Sequence, residues 1–174
     1  MIGFLRFVGV VNAAIWFGAA IFFTFAVAPT FFSPELTKII QPPYNGFAAQ
    51  LVIKRFFVLQ HICGVIALLH LLAEWLYMGK PLQRITLGLL LGIFCCNLVG
   101  GFWLQPKMSK LHWTIHRGPT ELRPAAAKSF RAWHGVSQVA NLLVTAGLLF
   151  YLWRVTSQVS ATRLPQMRKL SLAR

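Results

Sequence analysis

FRAWHGVSQVANLLVTAGLLFYLW, residues 130–153, is apolar enough to cross a bilayer, yet it carries a regular row of polar side chains. Arg131, His134, Gln138, Asn141 and Thr145 follow one another at steps of three, four, three and four. At about 100° per residue, those steps hold all of them on one stripe of an α-helix. Val136, Leu143, Leu148 and Phe150 fall on the opposite faces. An apolar helix with a single polar stripe turns that stripe toward other helices or a cavity, because lipid offers polar groups no partner. This stretch therefore predicts a membrane helix whose stripe faces inward.

Composition sets the same class for the rest of the chain. Of 174 residues, 57% are hydrophobic and only 11% are charged, against about 25% charged in an ordinary soluble domain. The formal charge of +14 comes from 17 Lys and Arg against Glu35, Glu74 and Glu121 alone. The cations sit at the ends of apolar runs, where they reach anionic lipid headgroups. That placement argues against nucleic acid as a partner. Cys63, Cys95 and Cys96 lie inside apolar runs without a C-x-x-C spacing, and they read as small buried hydrophobes.

The pattern predicts an all-α four-helix transmembrane bundle over residues 1–154, with short interfacial helices in the loops. The expected helices cover about 2–28, 48–78, 82–104 and 124–153. A basic, flexible tail is expected over 155–174. In the first helix, Gly9, Asn12, Trp16 and Ala19 share a face. Its end, Ala26-Val27-Ala28, resembles a signal-peptidase site, but the run is too long for a signal peptide and Pro29 follows it. Ser33-Pro34-Glu35 reads as a cap, an N1 proline and a first-turn acid, so a helix of about two turns should follow. Tyr44-Asn45-Gly46 reads as a turn, and Gly79-Lys80-Pro81 as a tight connection between antiparallel neighbours. In the third helix Gly88, Gly92, Cys96 and Gly100 recur every four residues and predict a seam for helix packing. Residues 105–129 are expected to form a basic loop on the membrane surface, in part helical and anchored by Trp113.

The candidate ligands are histidines. His61, His70 and His134 lie in apolar runs, and His134 with either of the others would provide the two imidazoles of a haem b site. The competing reading leaves His134 hydrogen-bonded inside the bundle, with aromatic side chains such as Trp16 or Phe57 filling the space beside it. His112 and His116, at i,i+4, are half a zinc site without a carboxylate or thiolate to complete it. Glu74, one turn beyond His70, suits a proton relay or a structural pairing with Lys80, Arg84 or His70. No catalytic arrangement, phosphate loop or dinucleotide fingerprint is present, so no cofactor is expected on the first reading and haem b on the second.

Two stretches carry a family resemblance: N-x-x-x-W-F-G-x-x-x-F-F-x-F-x-V-A-P-x-x-F from Asn12 to Phe32, and F-x-x-W-H-x-x-S-x-x-x-N from Phe130 to Asn141. With four apolar runs, they resemble the transmembrane protein 205-like family, also catalogued as domain of unknown function 4149. That family is similar in layout to copper-resistance-D-like membrane proteins and, more distantly, to the HemJ protoporphyrinogen oxidases. In the family pattern a leucine commonly precedes the second motif's histidine, where this chain has Trp133. No HemJ motif is present, so that oxidase activity does not carry over. The resemblance implies a four-helix membrane fold. Two functions follow as expectations: a non-catalytic accessory or structural subunit of a larger membrane complex, or a haem- or metal-binding protein of the copper-resistance-D-like kind. A small transporter is weaker, because no broken helix or inverted repeat is apparent. Lys and Arg divide almost evenly between the two sides, and the basic tail favours cytoplasmic termini in a bacterial inner membrane.

Overall fold

The computed structural model describes residues 2–79 and 83–161. Four helices among them are long and apolar enough to cross a membrane, and the protein is an integral membrane four-helix bundle. Helix α1 is Ile2–Phe22, and it continues through a wide π turn, Phe23–Val27, into Ala28–Thr30. Helix α2 is the short Pro34–Ile39. Helix α3 is Tyr44–Met78. Helix α4 is Arg84–Val99, extended by a second π turn, Gly100–Leu104, and then by Gln105–Arg117. After a 3-10 turn at Thr120–Leu122, helix α5 runs Arg123–Ala161. The spanning helices close a ring in which α1 packs on α3, α3 on α4, α4 on α5, and α5 back on α1.

Local chemistry explains most of the boundaries. Ser33 caps α2 by accepting from the Leu36 amide at 3.3 Å, as its position before Pro34 and Glu35 predicts. A backbone hydrogen bond at Glu35, with a second from Ser33, holds the Glu35 carboxyl below its usual range. Gly79 ends α3 at φ 62°, a left-handed conformation open to glycine and strained for most other residues. Lys80 and Pro81, the rest of the expected tight connection, lie outside the described residues. So do positions 162–174 of the expected tail, whose first residues instead extend α5 to Ala161.

Three sequence expectations are corrected. The expected turn at Tyr44-Asn45-Gly46 is the first turn of α3, and the chain reverses just before it, at Pro42-Pro43. There Asn45 ties the helix start to α1 by donating to the Phe31 carbonyl at 3.1 Å. The segment from residue 105, expected as a partly helical surface loop, instead continues α4 without a break as far as Arg117, because the π turn absorbs Pro106 in a first-turn position where its missing N–H costs little. The four-residue ladder is not the packing seam. Gly88, Gly92 and Cys96 are exposed on the outer face of α4, and a Cβ on Gly88 or Gly92 would meet nothing within 4 Å. Of the ladder, Gly100 alone is buried, against Phe57. The inner face of α4 carries Thr86, Leu90, Ile93 and Asn97.

The core is narrow and centred on Trp16, which is fully buried and meets Tyr151 edge-on at 6.3 Å between ring centroids. The predicted shared face of α1 holds: Gly9, Asn12 and Trp16 are buried and Ala19 is half-buried. Asn12 donates to the Cys63 carbonyl at 3.0 Å, and the Trp16 indole N–H donates to Gln60 Oε1. Asn97 of α4 donates to the same Gln60 oxygen at 3.5 Å. One amide of α3 thus receives hydrogen bonds from α1 and α4 in the middle of the bundle. On α5, Leu148 belongs to this core, contrary to its expected outward position.

Two outcomes test this arrangement. In detergent, Gly92→Leu should leave the melting temperature unchanged. Gly64→Val should lower it, because a Cβ there would approach Phe94 to 2.5 Å, and overpacking costs about 1–3 kcal/mol. Gln60→Leu strands the Trp16 N–H and the Asn97 amide, and a chemical-denaturation series should show a loss of about 1–3 kcal/mol.

Candidate functional site

The two π turns face each other across the bundle. In each, the amide following the turn bonds five residues back, Ala28 to the Phe23 carbonyl and Gln105 to the Gly100 carbonyl. Such turns widen a helix locally and concentrate at functional sites. Here they border a cavity of about 650 Å³, with Phe23 and Thr24 on one side and Gly100 and Leu104 on the other. Helix α3 contributes Asn45, Ala49, Gln50, Ile53 and Phe57, and α5 contributes Phe130, His134, Ser137, Gln138 and Asn141. The wall is mostly apolar and, among the described residues, holds no Asp, Glu, Lys or Arg. Its volume falls within the range of cofactor and small-molecule sites.

The stripe on α5 is therefore split between two surroundings. Thr145 is buried and Asn141 half-buried, and Asn141 donates to Thr24 Oγ1 at 2.8 Å while Thr24 donates to the Ala20 carbonyl at 2.7 Å. This relay binds α5 to α1 at the π turn. His134 and Gln138 are exposed because they line the cavity, and Arg131 is exposed beyond it. The expectation that aromatic rings fill the space beside His134 is overturned: Trp16 belongs to the core, Phe57 forms part of the cavity wall, and the space is open. Phe130 stacks on His134 with a 6.0 Å centroid separation, leaving the rest of the imidazole toward the cavity.

The histidines separate into two groups. His61 donates through Nε2 to the Asn97 carbonyl at 3.0 Å and stacks on Phe102. His70 donates to the Leu5 carbonyl at 2.9 Å, with Gly9 leaving room for its ring. Neither lines the large cavity, so neither faces His134 across it. His112 and His116 do line it, brought there by the unexpected continuation of α4. Their rings meet edge-on at 4.6 Å. His112 is buried, lies against Gly46 and Phe47, and donates to the Pro43 carbonyl at 3.4 Å. Among the described residues, no group of three or more His, Cys, Asp or Glu stands close enough to hold a metal ion.

Several residues of this region were silent in the sequence. Gln50 and Gln105 pair across the cavity wall at 3.3 Å, and Met108 is buried beside them. A lone amide in an apolar run was the available signal for Gln60 and Gln105, since membrane helices keep such groups only where a partner waits. The environments of His112 and His116 lead to opposite outcomes on substitution. His112→Ala should cost about 0.5–3 kcal/mol, and His116→Ala should stay within about 0.5 kcal/mol, in thermal melts of the purified protein.

Comparison with known proteins agrees with the helical layout. No curated protein and no solved structure matches the chain. One family model does, over residues 11–117. That span takes in both π turns, the first of the two motif stretches, and the His112/His116 pair, and it ends before α5. With more than half of its length matched, the chain belongs to the family described as Domain of unknown function (DUF4149).

Proposed function

We propose that this is a non-catalytic membrane protein that binds a neutral, largely apolar molecule drawn from the bilayer. The observation that carries the reading is the cavity of about 650 Å³ between the π turns, whose wall is mostly apolar and, among the described residues, holds no Asp, Glu, Lys or Arg. A charged group taken into such a wall would lose its hydration without gaining a counter-ion, at a cost of several kcal/mol. An apolar body loses nothing there, and a neutral polar end finds donors and acceptors in His134, Gln138 and His116. In this reading the membrane is a bacterial inner membrane with both ends of the chain cytoplasmic. Lys and Arg at the helix ends support contact with anionic headgroups.

A second reading, an accessory subunit of a larger membrane complex, rests on the outer face of α4. Gly88 and Gly92 are exposed with open space beside them, and small residues are what membrane helices use for close approach. The haem reading transfers from His61 and His70 to His116 and His134, the accessible imidazoles of the cavity.

Extraction and mass spectrometry of protein purified in mild detergent should find a neutral lipophile at near-stoichiometric amounts. It should be lost in Ser137→Phe, whose ring enters the cavity, with the melting temperature kept. A purified wild type free of such a molecule would refute the proposal. A Soret band that disappears in His134→Gln would replace it with haem.

A further inference from the structure

The opposite end of the bundle is closed by polar side chains from all four spanning helices. Arg6 of α1, His70 and Glu74 of α3, Thr86 of α4 and Tyr151 and Arg154 of α5 surround a void of about 20 Å³, together with Gln83 just before α4. Much of this cluster is already satisfied. Arg154 donates through a terminal guanidinium nitrogen to Gln83 Oε1 at 2.9 Å, and the Thr86 hydroxyl donates to the same oxygen at 3.0 Å. Both lone pairs of that carbonyl are thereby used. His70 gives its Nε2–H to the Leu5 carbonyl.

Two polar atoms at this site have no hydrogen-bond partner among the described residues: the Tyr151 hydroxyl and Arg154 Nε. Tyr151 is only 2% exposed, so bulk water does not serve it. Leaving a buried donor unsatisfied costs about 1–3 kcal/mol, and two of them in one void demand an occupant. The void has the size of one water molecule, which needs about 10–15 Å³ by the same measure and two to four polar partners.

We propose that the Tyr151–Arg154 void holds a single bound water that bridges α5 to α3 or α4. Arg154 Nε–H is a donor only, so the water accepts from it. The Tyr151 hydroxyl serves as a second partner, as donor or acceptor. The Glu74 carboxylate or the free lone pairs of Thr86 receive the water's own hydrogens. An anion such as chloride would also accept from both orphan groups and would meet Arg6 and Arg154 as well as Glu74, but it is larger than the single water that a void of about 20 Å³ admits and would have to push the lining apart. Water carries no such penalty. The site is independent of the large cavity, and it explains how the bundle stays shut at one end while it is open at the other.

Tyr151→Phe tests this through the sign of its effect, and it keeps the ring that packs on Trp16. If water is bound, the change deprives it of a partner and lowers the melting temperature in detergent by about 2–4 °C. If the void is dry, the change removes an unsatisfied hydroxyl, and the melting temperature holds or rises. That second result overturns the proposal. Exchange of chloride for gluconate in the buffer should leave the wild-type melting temperature unchanged. A fall on exchange would mean that the occupant is an anion, and would overturn it equally.

Discussion

The hydrogen bond from the Trp16 indole to Gln60 is the constraint on which the bundle is arranged. Once the helices are in lipid, burying apolar surface between them gains little, since acyl chains are as apolar as leucine. Association then rests on close packing and on polar groups that lipid cannot satisfy. Gln60 concentrates the second effect, because its carbonyl oxygen takes donors from α1 and α4 together. Asn12 on the Cys63 carbonyl repeats the logic one turn away, and His61 on the Asn97 carbonyl extends it along α4. These bonds set the rotation of α1, α3 and α4 against one another, and the small residues Ala13, Ala20 and Ala67 let the backbones approach around them.

From that central tie the two ends of the bundle diverge. Toward the termini, Arg6, Glu74, Tyr151 and Arg154 converge and leave a space no larger than a water. Toward the loops, the π turns at Phe23–Val27 and Gly100–Leu104 widen α1 and α4, and the helices part around the large cavity. The relay from Asn141 through Thr24 to the Ala20 carbonyl sits where the closed part ends. Below it, His134 and Gln138 become cavity wall. A single polar stripe thus performs two tasks along its length, tying helices together at one end and lining open space at the other.

At the outer edge of this open end, aromatic side chains carry the cations. Lys107 lies over both Trp103 and Trp133, at 4.6 and 3.9 Å from the ring centroids, and Arg117 lies 4.9 Å from that of Trp113. Lys107, Trp113 and Arg117 belong to the segment expected as a surface loop, which is helical as far as Arg117. One helical turn separates Trp103 from Lys107, and another separates Trp113 from Arg117, so each cation reaches an aromatic face of its own helix, and Lys107 lies nearer still to Trp133 of α5. Interfacial tryptophan and snorkelling cations serve the headgroup level in this form as well as in a loop.

The number and apolar character of the spanning helices were legible in the sequence, because crossing a bilayer requires about 20 apolar residues whatever lies beside them. So were the Ser33 cap and the buried face of Asn12 and Trp16, which depend on neighbours within a turn or two. Which histidines meet was not legible. His61 and His70 sit in apolar runs and turn out to be bound to carbonyls, while His112 and His116 sit in a basic stretch and reach the cavity. The cause is the second π turn, which shifts every later side chain of α4 around the axis and carries the helix on past Leu104, where it was expected to end. The ladder of Gly88, Gly92 and Cys96 failed for a related reason. Periodicity shows that residues share a face, but whether that face meets lipid or a neighbouring helix is decided by the polar groups around Gln60, on three different helices. Local chemistry along the chain determined the helices; the rotation of each helix about its axis, and with it the cavity, was decided only by hydrogen bonds between residues far apart in sequence.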